Sequence, residues 1–138
     1  MVNILNDNLT QQLLAVGFPD PQSILSAKMD HRSILSVEFG YSLGELWQWL
    51  PVAIRNAAND KTYHYRLTYS AFVGWTMQYT LYDDYHHDTY DPIIIVANSD
   101  IVTTVALTLL ECARLTNCHA IYDFGRGGRP YESFCRAD

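Results

Sequence analysis

Between positions 62 and 81 the side chains alternate with a period of two, and no other stretch restricts the fold of this chain so tightly. Tyr63, Tyr65, Leu67 and Tyr69 are interleaved with His64, Arg66, Thr68 and Ser70. After Ala71-Phe72-Val73-Gly74 the pattern resumes, with Trp75, Met77, Tyr79 and Leu81 set against Thr76, Gln78 and Thr80. Successive residues of a strand point to opposite faces, so this stretch predicts an antiparallel hairpin with one aromatic face and one polar face. His64, Arg66 and Thr68 would share the polar face and could bind an anion, although any half-exposed strand carries such a row. Residues 93–97, all aliphatic, predict a third and more deeply buried strand beyond an acidic, aromatic loop over 82–92. A meander is the simplest topology.

An aromatic sheet face needs a cover. Asp100 is a good N-cap for a helix over about 101–115, whose Ile101, Val102, Val105, Ala106, Leu109, Cys112 and Ala113 form a broad apolar stripe. Thr104, Thr108 and Glu111 would mark its wet side. Its β-branched residues lower intrinsic helicity, so packing on the sheet must help to hold it. Asn117 can end it, and a last short strand is expected from Cys118 to Phe124. The fold class is therefore α+β in two layers: a meander of three or four antiparallel strands packed by a C-terminal helix, with short helices at the N-terminus.

Those N-terminal helices have their own signals. Asn6, Asp7 or Asn8 can cap a helix over 8–16, with Leu9, Leu13 and Val16 on one side and Gly17 as its stop. Asp20 before Pro21 suggests a second helix over 21–28, and residues 29–41 read as a strand or a partly buried loop. Ser42 and Glu45 have capping-box spacing, while Pro51 disfavours helical geometry just before it, so a helix is bracketed over 43–50. Leu43, Leu46, Trp47 and Leu50 form its buried face. Trp49 lies off that stripe, either covering a second apolar seam or standing exposed as a contact residue.

The whole chain has 138 residues, 49% hydrophobic and 17% charged, which suits one domain over 1–138 with a tail from 125. The net charge of −6 argues against nucleic acid and anionic membrane as partners. Residues 1–111 carry twelve acids against five bases, so a local basic excess that could hold an anion is confined to the last 27 residues. No apolar run approaches the roughly 20 residues of a membrane span, and the first ten residues lack a basic region followed by an apolar one. A soluble, cytoplasmic protein is expected. Cys112, Cys118 and Cys135 match no zinc or redox spacing and read as small buried hydrophobes.

Four carboxylates and two imidazoles are concentrated in Tyr82-Asp83-Asp84-Tyr85-His86-His87-Asp88-Thr89-Tyr90-Asp91. Asp83, Asp84, His86, His87 and Asp88 are the candidate metal ligands, though their spacing is neither that of an EF-hand nor of a His-Glu-x-x-His helix. A solvated turn or a binding surface accounts for the same residues. Asp123-Phe124-Gly125 matches the kinase magnesium triplet but lacks every accompanying motif. Arg126 and Arg129 within Gly125-Arg126-Gly127-Gly128-Arg129 could cradle a phosphate, or the segment is simply a tail. No signature of a covalent nucleophile is present.

The succession of GFPDP, LGELWQWLP (43–51), Tyr63-His64-Tyr65-Arg66-Leu67-Thr68 and a C-terminal helix resembles small uncharacterised proteins of bacteriophages and of mobile elements of anaerobic gut bacteria. The resemblance covers roughly 9–115, and this chain continues beyond it. It implies a small accessory protein in a bacterial cytoplasm and carries no catalytic residue. The expectation is a non-enzymatic protein without cofactor that binds a protein partner. Tyr82, Asp83, Asp84, Tyr85, Tyr90 and Trp49 are its contact candidates. A metal-assisted hydrolase using 82–91 and a virion or homo-oligomeric structural component are the alternatives.

Overall fold

The computed structural model describes residues 5–29, 34–82 and 89–122. The expected hairpin is its centre: β4 (Lys61–Ser70) and β5 (Gly74–Tyr82) pair antiparallel with Tyr65 opposite Tyr79, Leu67 opposite Met77 and Tyr69 opposite Trp75. β6 (Thr89–Asn98) pairs with β5 and completes the meander. It begins earlier than the aliphatic run suggests, and its register shifts opposite the stretch Tyr79–Leu81, beside Pro92. Proline has no amide hydrogen to give the ladder, and β6 is an edge strand, where that loss is tolerated.

Among the described residues this sheet has five strands, where three or four are expected, in the order β6-β5-β4-β3-β7. The extra strand is β3 (Ala53–Asn56), four residues and too short to show a period. It joins β4 to β7 (Cys118–Ile121), so the last strand enters the sheet beside the middle of the chain.

On the inner face Tyr63, Met77, Tyr79, Ile94 and Val96 are buried, and α3 (Ile101–Arg114) packs on β5 and β6 there. Asp100 caps that helix, accepting the amide of Thr103 at 2.9 Å. Its threonines correct the expected wet side: Thr104 and Thr108 are fully buried, because α1 and α2 pack on the helix away from the sheet. Each hydroxyl is satisfied within the helix, Thr104 donating to the Asp100 carbonyl at 2.8 Å and Thr108 to the Thr104 carbonyl at 2.7 Å. Asn117, at φ 55°, turns the chain into β7. Cys112 and Cys118 are buried free thiols, as read, and burial pushes the Cys118 thiol upward.

α1 (Asp7–Ala15) is capped by Asn6 and buries Leu9 and Leu13, whereas Val16 falls beyond its end and is exposed. The helix expected over 21–28 is not formed. Gln22 gives its amide to Glu45 at 2.8 Å, and β1 (Ser23–Met29) pairs antiparallel with β2 (Ile34–Gly40) as a separate two-stranded sheet. Pairing with β2, the next element of the chain, outweighs the weak local helix signal there. α2 (Leu43–Trp47) has the full capping box, with Ser42 accepting from Glu45 and Glu45 from the Ser42 amide, but ends as a single turn and a half.

Candidate binding groove

Strand parity explains which aromatics are covered and which are not. Tyr63 and Tyr79 face inward and are buried, yet Tyr65 and Tyr69, on the same face, are 40% and 63% exposed. α3 starts beside the far end of the β4–β5 hairpin and runs away from it, and α2 is only five residues long. Among the described residues the inner face is therefore longer than its cover.

Where cover is missing, a groove of about 720 Å³ opens, lined by Leu43, Gly44, Trp47, Gln48, Leu67, Trp75 and Ile101. Leu67 and Trp75 form the floor, α2 one wall and the first residue of α3 the other. Trp47 meets Tyr65 edge-on at 6.1 Å between ring centroids, and Tyr69 lies 4.9 Å from Trp75, so four rings border the opening. Beyond them the hairpin tip carries Phe72, 99% exposed, and the exposed Val73. Among the described residues the lining holds no ionisable side chain, and what it offers is apolar area and ring faces.

The wall is fixed by hydrogen bonds from three phenols. Tyr79 donates to the Pro51 carbonyl at 2.6 Å, Tyr122 donates to the Trp49 carbonyl at 3.1 Å, and Tyr41 donates to the Pro19 carbonyl. Trp49 is core: 6% exposed, it packs against Phe18 at 5.4 Å and Tyr41 at 5.5 Å, so the contact role offered for it is replaced by the seam-covering one.

The other candidates fall elsewhere. Tyr82 and Tyr90 sit on adjoining strands, where Leu81 pairs with Tyr90 and Tyr82 with Thr89. Asp83, Asp84, Tyr85, His86, His87 and Asp88 lie outside the described residues, as do Cys135, Arg126 and Arg129. Among the described residues no cluster of metal-ligating side chains occurs. His64, Arg66 and Thr68 are exposed on the outer face, away from the groove. The helix-period stripe already contained Leu43 and Trp47, but as core; the signal that would have found the groove is the mismatch between a ten-residue strand and the short helix above it.

No helix among the described residues is long and apolar enough to cross a membrane. Comparison with protein-family models, curated proteins and solved structures finds no match to this chain.

Proposed function

We propose that this chain is a non-enzymatic binding protein whose groove takes an apolar segment of a protein partner. The observation that carries this reading is the uncharged, ring-bordered opening between α2 and the β4–β5 floor. Its volume falls within the roughly 300–1,000 Å³ of sites that hold compact ligands, and Trp and Tyr are the residues most enriched among energetic anchors of interfaces. The overall charge of −6 favours a partner with basic residues flanking its apolar anchors. With the resemblance to phage and mobile-element proteins, the partner is a component of a bacterial host, met in its cytoplasm.

Gly44→Leu provides the test. Gly44 is in α2, and a Cβ there would meet only the Ser42 hydroxyl, at 4.0 Å, so a larger side chain fills the groove without displacing backbone. Panning a random peptide library against the chain is expected to enrich peptides with two bulky apolar anchors and basic flanks. Those peptides should lose binding to Gly44→Leu and keep it with Ile95→Glu, at an exposed position of β6 on the outer face. Enriched peptides indifferent to Gly44→Leu, or none at all, would overturn the reading.

A further inference from the structure

The end of the β4–β5 hairpin holds both halves of one contact. At its tip Phe72 is 99% exposed and Val73 54% exposed. Three residues beyond Phe72, Trp75 floors the groove with Leu67. At about 3.4 Å per residue, tip and groove lie roughly 10 Å apart along the hairpin. Tyr69 stands between them, 63% exposed and packed on Trp75 at 4.9 Å. A bulky knob and a ring-bordered hole at a fixed offset make this end of the hairpin self-complementary. A two-fold axis between knob and hole sets each copy's tip over the other copy's groove and closes the assembly at two.

Charge permits this pairing. Two copies of a chain with net charge −6 repel wherever their acids meet, yet the fifteen residues from Leu67 to Leu81 include no acidic or basic side chain. Glu45, the one acid of α2, is engaged within its own molecule, accepting the Ser42 amide at 3.1 Å and the Gln22 amide at 2.8 Å. Area agrees. At exposures of 40%, 63%, 99% and 54%, Tyr65, Tyr69, Phe72 and Val73 present about 400–500 Å² per copy. Covering that surface on both copies buries roughly 1,000 Å², the lower bound of a specific interface, and corresponds to a weak dimer with a Kd on the order of 10 µM.

We propose that in the free protein the groove is filled by Phe72 of a second copy, which the partner's apolar segment displaces, an inference that rests on the binding role given to that groove. The dimer is then the resting form, and pairing and partner binding exclude each other.

Sedimentation equilibrium of the full chain, at concentrations bracketing that Kd, should show the mass doubling. Phe72→Asp alters an almost fully exposed side chain, so it should keep the parent's unfolding midpoint and stay monomeric, and Gly44→Leu should also stay monomeric. A benzophenone amino acid placed at position 72, irradiated in a mixture with isotope-labelled parent, should cross-link to labelled peptides that contain α2 or Trp75. Where the parent is paired, Phe72→Asp should bind the library peptides several-fold more tightly than the parent does. A parent monomeric throughout, a dimer that survives either substitution, or cross-links only outside the groove would overturn the proposal, and peptide binding that depends on Gly44 would still uphold the groove reading. Pairing lost in both variants with peptide binding indifferent to Gly44→Leu would instead uphold the dimer and remove the partner reading.

Discussion

Gly74→Ala should be among the most damaging single-methyl additions this fold can receive. Gly74 starts β5 at φ 89°, a left-handed conformation that costs an L-residue about 1–2 kcal/mol. A Cβ there would also lie 2.7 Å from the Asn98 carbonyl oxygen and 2.7 Å from the Ser99 Cα. Both are backbone atoms, at the junction of β6 and α3, so no side chain can swing away, and enforced displacement of packed backbone costs about 1–3 kcal/mol more. The expected loss is about 2–5 kcal/mol. Urea unfolding followed by tryptophan fluorescence would read it as a lowered midpoint at constant slope, and thermal unfolding as a fall on the order of 10 °C. Gly44→Ala is the internal comparison: its helical site has room, so replacement of glycine should stabilise by about 0.5–1 kcal/mol. A Gly74→Ala protein within about 0.5 kcal/mol of the parent would refute the claim that this backbone crossing leaves no space.

Tyr79→Phe removes the donor to the buried Pro51 carbonyl and should cost about 1–3 kcal/mol by urea unfolding. Ser42→Ala breaks the capping box of α2, with an expected loss of about 1 kcal/mol and weaker uptake of an apolar dye by the groove. Thr108→Val keeps the shape of the buried side chain and removes a hydroxyl that bonds only within its own helix, so it should stay within about 1 kcal/mol of the parent, whereas Thr108→Lys should prevent folding. Burial raises the Cys118 pKa, so the unfolded chain loses this proton first; stability is fully present below the ordinary thiol range and declines in alkali until pH passes the raised folded value. Cys118→Ala should flatten that alkaline decline in unfolding midpoints measured across the thiol range.

The hairpin, the third strand and α3 were legible because each carries a long, regular pattern: two-residue alternation in β4 and β5, an aliphatic run in β6, a capped 3.6-period stripe in α3. What escaped depends on pairing and packing partners that no local pattern announces. Ala53–Asn56 becomes a strand only because β4 and β7 lie on either side of it. Ser23–Met29 is a strand only because residues 34–40 pair with it. Thr104 and Thr108 look solvent-facing when the helix is considered against a sheet alone; a second layer of helices buries them. Along 43–50 the pattern identified the apolar side chains but not how many would stay half open. The pattern makes Trp47 and Leu43 core, whereas in the fold they line the groove, since the length of neighbouring cover is a tertiary quantity.

α2 is too short to persist by itself, as an isolated helix of five residues is far below the length that is stable in water. The carbonyls just after it are gripped from two directions, by Tyr79 at the heart of the sheet and by Tyr122 at the end of the outermost strand. The second grip works as a lever. Any load that peels the end of β7 away loosens the carbonyl at Trp49 and frees one jaw of the opening, so that mechanical tension on the C-terminal strand becomes a way to change the width of the mouth.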